Sequence, residues 1–169
     1  MGYLIRKAQK GDADAFVTLM EQHKINMYKV ARSYLRNEED IADVMQQTIL
    51  DCYEHLDTLK KTSYFKTWMT RILINNCLDI IRKNERNTNI DMLDLITVQD
   101  QETDIFEFID TLERIDEKYR TILILYYVEG FKIREIAELL NMNERTVNSR
   151  LRRGRNSYKE EWERSSHGI

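Results

Sequence analysis

The sequence predicts an all-α protein with two small helical domains joined by a flexible acidic linker, the second domain ending in a helix-turn-helix. The chain has no proline and only five glycines, so signals for β-turns are sparse and helices can run long. Apolar residues recur with a helical period on both sides of a weakly periodic, acidic middle segment. We therefore expect domains at residues 1–86 and 104–169, with the linker at 87–103.

Three amphipathic helices are predicted in the first domain. Asp12 suits the N-cap of a helix that continues to about Leu35. Asn37 and the acidic residues after it open the second helix. A break at 59–63, rich in lysine and small polar residues, precedes a third helix that ends near Lys83. Together these helices can bury one core.

The second domain is predicted to begin with helices at 105–112 and 117–128. Gly130 suits the C-cap of the latter helix, and Phe131 can fold back onto it as the hydrophobic contact that often accompanies such a cap. The linker and the start of this domain are strongly acidic, because residues 87–117 include ten acidic side chains and a single basic one. Basic regions lie on either side of this acidic segment.

A short apolar helix, a turn and an arginine-rich helix occupy residues 133–159. Asn141 lies where a helix end favours a residue that tolerates the left-handed region, and Asn143 is a good N-cap for the next helix. This order of elements predicts a helix-turn-helix.

The last helix has one packing face and one polar face. Residues 145–159 contain six basic side chains and no acidic one, in a chain whose net charge is −3. A cluster of positive charge in a chain that is acidic overall indicates a polyanion partner. The forked donors of arginine on one helix face suit a DNA major groove. A solvated basic face on a core helix remains the alternative. The packing stripe consists of Val147, Leu151, Gly154 and Tyr158, and the opposite stripe of Arg145, Ser149, Arg152 and Asn156, bordered by Asn148 and Lys159.

A second group of basic and aromatic residues precedes and begins the third helix of the first domain. Aromatic rings among cations suit single-stranded nucleic acid, where bases stack and phosphates are neutralised. Two alternatives stay open: Trp68 as a core residue, and Asp79 with Arg82 as an ordinary i, i+3 pair. The helix face carries Trp68, Ile72, Asn75, Asp79 and Arg82, and its neighbours are Lys60, Lys61, Tyr64, Phe65, Lys66 and Arg71.

Signals for metal, cofactor or catalytic chemistry are not found in the sequence. Cys52 and Cys77 have no CxxC spacing, so we expect two buried thiols in a reducing cytoplasm. No Gly-rich phosphate loop or nucleophile elbow occurs, and we expect neither enzyme activity nor a cofactor. The N-terminus lacks an apolar run, and the longest apolar stretch, Ile122 to Val128, is too short to span a bilayer. The histidines that could have ligated a metal are scattered at His23, His55 and His167.

The chain carries three groups of residues, at 40–48, at 68–82 and at 119–155. Taken in chain order, they resemble extracytoplasmic-function (ECF) sigma factors of bacterial RNA polymerase, within the sigma-70 family. The stretch from Asp40 to Thr48 is similar to the family's polymerase-clamp-binding helix. The face from Trp68 to Arg82 is similar to its promoter-melting region. The resemblance extends over residues 12–160. The matches to the promoter-reading domain are Tyr119 with Arg120, residues 135–139 and residues 146–155.

This resemblance implies that the chain directs core RNA polymerase to particular promoters, in a stress or envelope response. The last helix would read the double-stranded −35 element, and the basic and aromatic group would accept the opened, single-stranded −10 element. Asn75 would lie near a flipped base, where its amide can bond a base edge. The implied −35 residues are Arg145, Thr146, Asn148, Ser149, Arg152 and Arg153. The implied −10 residues are Lys60, Lys61, Tyr64, Lys66, Trp68, Arg71, Asn75 and Arg82.

The other implied partners are proteins. Asp40, Asp43, Gln46 and Gln47 would dock on the clamp helices of the polymerase largest subunit. The acidic linker would run through the polymerase interior, although a merely solvated linker explains its charge almost as well. An anti-sigma factor is a further implied partner, and a small-molecule substrate is not expected.

The chain departs from the family pattern at three positions. Asp116 replaces the usual proline before the Tyr-Arg pair and would serve as an N-cap. Asn141 replaces a common turn glycine, and Gly154 replaces a common alanine. We expect these changes to loosen the last domain slightly without removing a contact group.

Two other classes of protein compete with this interpretation. A helix-turn-helix also occurs in autonomous transcriptional regulators whose first domain senses a ligand. The polar cluster at residues 40–48 argues against that class, because a sensing domain needs no docking stripe there. A helical scaffold without a nucleic-acid role would leave both basic segments unexplained.

Overall fold

The structure, a computed structural model, describes residues 1–87, 108 and 110–166. The predicted linker, apart from Asn87, and half of the predicted helix at 105–112 lie outside the described residues. Within the described ranges every regular element is helical and no strand occurs, which confirms the predicted all-α class. The chain forms two compact units, Met1–Leu93 and Asp94–Ile169.

The three helices predicted in the first unit are confirmed, and a fourth, at the N-terminus, was not predicted. The predicted N-cap Asp12 is also confirmed, and Asn37, predicted to open the second helix, caps it. The Asp12 carboxylate accepts from the Ala15 amide at 2.9 Å, and the Asn37 side chain accepts from the Glu39 amide at 2.8 Å. The helices are α1 (Gly2–Gln9), α2 (Ala13–Tyr34), α3 (Glu38–His55) and α4 (Phe65–Asn87), with 3₁₀ turns at Leu56–Thr58 and Thr62–Tyr64 between α3 and α4.

Helices α2, α3 and α4 pack against one another around a core of large apolar side chains. Leu19 and Met27 of α2, Ile41 of α3 and Phe65 of α4 are all fully buried. The His23 ring belongs to this core, because its Nδ1 lies 2.9 Å from the Leu19 carbonyl oxygen and the ring packs edge-on against Phe65. Among the described residues no group of three or more side chains could hold a metal ion.

The two cysteines are buried free thiols, as predicted. Burial raises the pKa of both Cys52 and Cys77 from 9.0 to about 12. The thiolate is the reactive form, so the native protein should react with a disulfide reagent such as DTNB on the order of a thousandfold more slowly than a free thiol. Both thiols should react fully after unfolding in guanidinium. Rapid native labelling would contradict their burial, and the same assay reports whether unit 1 is folded.

The second unit contains the predicted helix at 117–128, in two parts. Helix α5 (Glu117–Leu123) continues directly into a π-helical turn, Ile124–Val128. Gly130 has φ +69°, and the Phe131 amide donates to the Leu125 carbonyl at 2.9 Å. The predicted cap at Gly130 is therefore confirmed, and Phe131, the residue expected to fold back onto the helix, is buried. Helices α6 (Ile133–Leu139) and α7 (Glu144–Ser166) complete the unit.

The N-terminus of α5 is capped by Asp116, as predicted. Its carboxylate accepts from the Lys118 amide at 3.1 Å and pairs with the Lys118 ammonium at 2.7 Å. The Lys118 side chain holds the pKa of the Asp116 carboxyl below its usual value. This cap replaces the helix-starting role of a proline at the same position.

Helices α5 and α7 approach closely at Gly154, one of the three positions where the family pattern is broken. A methyl group at this position would lie 3.2 Å from Leu123 Cδ1 and 3.2 Å from Tyr119 Cβ. Gly154 is buried, so the two helices have closed onto the missing side chain.

Arg120 is a buried cation that holds the start of the unit together. The side chain is 4% exposed. Its Nε donates to the Leu112 carbonyl at 3.0 Å, and its Nη2 donates to the Glu113 and Ile115 carbonyls at 3.2 and 2.9 Å. These carbonyls end the helical segment at 110–113, so the guanidinium serves as its C-terminal cap.

Candidate nucleic-acid interface

The turn between α6 and α7 has the geometry predicted from its two asparagines. Asn141 adopts φ +51°, in the left-handed region. The Met142 amide donates to the Ala137 carbonyl at 2.9 Å, which closes the end of α6. The Asn143 side chain accepts from the Thr146 amide at 2.7 Å and caps α7. The predicted helix-turn-helix is confirmed.

Helix α7 has the two predicted faces. Val147 and Leu151 are buried against the rest of the unit, together with Gly154. Of the six predicted −35 residues, the structure leaves Arg145, Asn148, Arg152 and Arg153 exposed on one helix, whereas Thr146 and Ser149 are half-buried. The exposed face therefore offers three guanidinium groups and the amide of Asn148, whose Nδ2 also donates to the Glu144 carbonyl at 3.1 Å.

Arg155 is a basic residue of α7 whose packing the sequence did not reveal. Its guanidinium carbon lies 5.9 Å from the centre of the Tyr126 ring and 5.6 Å from that of Tyr127. These cation–π contacts tie α7 to the π-helical turn. The adjacent tyrosines were the one sequence signal that could have suggested an aromatic partner.

The polar face of α4 changes character along the helix. Trp68 and Ile72 are half-buried, and the Trp68 ring lies 5.9 Å from Phe65. Asn75 is exposed one turn further on. Near the C-terminal end Arg82 Nη1 donates to Asp79 Oδ1 at 2.9 Å, with both side chains more than 60% exposed. The ordinary i, i+3 pair is therefore present, and Trp68 is neither a fully buried nor a fully exposed residue.

The segment before α4 displays the basic and aromatic side chains. Lys60, Lys61 and Tyr64 are exposed, and the Lys61 ammonium lies 5.9 Å from the centre of the Tyr64 ring. Arg71 is exposed on α4, whereas Lys66 is half-buried. Exposed cations from two chain segments thus lie on the same unit as the exposed Tyr64 ring and the Asn75 face.

The four residues of the predicted docking stripe on α3 differ in their contacts. Asp43 and Gln46 are exposed. Asp40 is half-buried and accepts from Asn84 Nδ2 of α4 at 3.1 Å. The Gln47 amide donates to Asp51 Oδ1 at 2.7 Å.

A polar network between α3 and α4 was missed by sequence reasoning. Asn76 Nδ2 donates to Asp51 Oδ2 at 2.8 Å and lies 3.1 Å from Thr48 Oγ1. Asp51 therefore joins Gln47 on α3 to Asn76 on α4, the direct neighbour of Asn75. A pairing 25 residues apart in sequence leaves no periodic signal.

Comparison with known proteins places both units in one family. The sigma-70 region 2 model matches residues 19–87, and the sigma-70 region 4 model matches residues 105–157. The chain is 31% identical over 140 residues to the RNA polymerase sigma factor SigV of Bacillus subtilis, covering 81% of this chain and 84% of SigV. It is 27% identical to the ECF RNA polymerase sigma factor SigW of Bacillus subtilis, covering 93% and 94% of the two chains.

Two solved structures share the fold. The sigma factor RpoE of Bartonella quintana, in complex with the anti-sigma factor NepR, has a TM-score of 0.74 at 22% identity, covering 88% of this chain and 96% of RpoE. CnrH, in complex with the cytosolic domain of CnrY, has a TM-score of 0.69 at 24% identity, covering 94% of each chain. No helix among the described residues is both long and apolar enough to cross a membrane. With both sigma-70 regions matched in order and a relative of this similarity, the chain belongs to the sigma-70 family, as an ECF RNA polymerase sigma factor.

Proposed function

We propose that this chain works in the cytoplasm as the promoter-specificity subunit of RNA polymerase, without an enzymatic activity of its own. The observation that carries the proposal is the exposed face of α7, which presents Arg145, Asn148, Arg152 and Arg153 opposite a buried stripe in a well-formed helix-turn-helix. A second basic surface lies on the other unit. Two nucleic-acid surfaces in one chain suit a protein that contacts two promoter elements.

The α7 face is proposed to enter the major groove of the −35 element. Arginine can bond guanine bidentately and asparagine can bond adenine, so these side chains are able to distinguish bases. Thr146 and Ser149 are half-buried beside them and can bond phosphate or base edges with their hydroxyl groups. Asn143 caps the N-terminus of α7, and the positive dipole end of this helix can attract a backbone phosphate.

The surface of the first unit is proposed to hold the opened −10 strand. Tyr64 and Trp68 provide aromatic faces for stacking, and the cations of this surface can neutralise the phosphates. Asn75 is exposed on the same helix and can bond the edge of an unstacked base. The cations proposed for this surface are Lys60, Lys61, Lys66, Arg71 and Arg82.

Core polymerase is proposed to dock on α3. Asp43 and Gln46 are exposed and can meet a polar helix surface. Asp40 and Gln47 are engaged with α4 and with Asp51, so they would orient the stripe as well as contact the partner. An anti-sigma factor is a further proposed partner, because the similar structures of RpoE and CnrH were determined as complexes, the former with an anti-sigma factor.

A crossed pair of variants tests the division of labour between the units. Arg152→Ala should weaken binding to the −35 duplex by about 1–3 kcal/mol, whereas Asn75→Ala should leave it unchanged. Asn75→Ala should instead lower permanganate reactivity of −10 thymines in the polymerase complex. As a control, Arg164→Ala removes an exposed arginine from the last turn of α7, the helix that carries Arg152. It should change neither readout.

The sequence and salt dependence of duplex binding shows whether Arg152 contacts bases or only phosphate. If Arg152 contacts only phosphate, its loss would weaken promoter and random duplexes equally and lower the salt slope by about one. Equal effects of both variants on both readouts would contradict the separation of functions.

A further inference from the structure

Helix α1 packs against the segment that displays the −10 cations, although it precedes the region matched by the sigma-70 region 2 model. That match begins at residue 19. Ile5 of α1 is fully buried, and a Cβ at Gly2 would lie 3.3 Å from Thr62 Oγ1. The helix contacts both 3₁₀ turns between α3 and α4. Lys60 and Lys61 lie between those turns.

Gln9, the last residue of α1, makes the most specific of these contacts. Its Nε2 donates to the Leu56 carbonyl at 3.0 Å and to the Leu59 carbonyl at 2.9 Å. The Leu59 amide also donates to the Leu56 carbonyl at 3.2 Å. One amide group therefore uses both of its hydrogens to hold the two ends of the turn directly before Lys60.

Fixing this turn has a consequence for strand binding. An unrestrained residue loses about 1–2 kcal/mol of backbone conformational entropy when it is ordered. If the turn is already ordered in the free protein, this entropy is lost on folding and does not weaken DNA binding. The cations then meet the phosphates in one arrangement. Leu56 and Leu59 are both buried, so the Gln9 contacts act on a turn that is anchored on its apolar side as well.

We infer that Gln9 is a positioning residue for the single-stranded −10 element, which it serves by holding the Leu56–Leu59 turn so that Lys60 and Lys61 face the strand. This inference rests on the proposed role of the first unit. Gln9 itself touches no nucleic acid. The effect of Gln9 on strand binding depends on Lys60 and Lys61. An experiment that removes these lysines can therefore distinguish positioning from a general effect on folding.

The test uses the full chain and a fluorescent single-stranded DNA pool of random sequence. Gln9→Met keeps the length of the side chain and removes both donors. We expect its affinity for the pool to fall on the order of 5- to 10-fold, with a smaller salt slope because fewer phosphates are neutralised. Gln22→Met, at an exposed glutamine of α2, is the matched control and should behave as the unchanged protein.

A double-mutant cycle separates positioning from stability. In a Lys60→Ala, Lys61→Ala background, Gln9→Met should lower neither the affinity nor the salt slope further. Protection of Cys52 and Cys77 from DTNB, measured on every variant, shows whether unit 1 remains folded. Native protection with lost affinity supports positioning.

Three other results would contradict the inference about Gln9. Exposure of the thiols in Gln9→Met would make Gln9 a residue of the fold alone and would overturn the inference. Normal affinity in Gln9→Met, with reduced affinity after lysine replacement, would overturn the inference and leave the proposed −10 surface standing. Normal affinity after replacement of both lysines would refute their place in that surface and, with it, the inference.

Discussion

Charge reversal by Asp43→Lys is expected to abolish association with core RNA polymerase. Asp43 is exposed on α3, whereas its neighbours Ile41 and Val44 are buried, so the substitution changes the surface and not the core. A carboxylate in a polar helix-on-helix contact faces donors or cations. Placing a like charge there costs several kcal/mol, which is enough to move a nanomolar complex into the micromolar range or beyond.

A pull-down with purified core polymerase measures this effect directly. Glu21→Lys makes the same change of charge at an exposed carboxylate on α2 and should retain binding. The DTNB assay on Cys52 and Cys77 should show an intact fold in both variants. Full core binding by Asp43→Lys would show that this residue lies outside the docking surface.

Replacement of Arg120 by alanine is expected to unfold the second unit. The side chain is buried and donates to three backbone carbonyls, those of Leu112, Glu113 and Ile115. Alanine would remove the guanidinium donor from all three carbonyls, of which that of Leu112 keeps its bond from the Ile115 amide, and would open a cavity, at a cost of about 3–5 kcal/mol. A single core of this size rarely contributes more than about 3–5 kcal/mol, so little stability would remain.

The two units give separate readouts for the Arg120→Ala variant. Helical ellipticity should fall and −35 duplex binding should be lost, while the thiols of the first unit stay protected. Arg134→Ala is the matched control, because Arg134 is exposed and, among the described residues, pairs with Glu138 at i, i+4, a contact worth about 0.3–0.5 kcal/mol. A native melting profile for Arg120→Ala would contradict the capping role.

The local features of the fold were predictable because short-range signals determine them. Apolar periodicity located α2, α3 and α4 within a few residues of their observed ends. Asp12, Asn37 and Asn143 cap helices by bonding amides two or three residues away. Such contacts depend on residue type and spacing alone, and the exposed face of α7 followed from the same reasoning.

The features that the sequence did not predict depend on contacts between distant residues. Helix α1 has eight residues and one fully buried side chain, so its period was too short to stand out. Gln9 bonds carbonyls 47 and 50 residues further along the chain. Residue type gave no sign that Arg120 is buried, because most arginines are exposed. The fit of α5 onto Gly154 likewise needed both helices in place.

Reconstituted transcription tests the central proposal most directly. Core RNA polymerase would be supplied with this chain and a genomic DNA library, and the transcripts would be sequenced. We expect transcripts to start downstream of a shared pair of −35 and −10 elements only when the chain and the core enzyme are both present. The opposite result is that the chain alone binds a specific duplex and directs no specific initiation by the core enzyme. That result would identify an autonomous DNA-binding regulator instead.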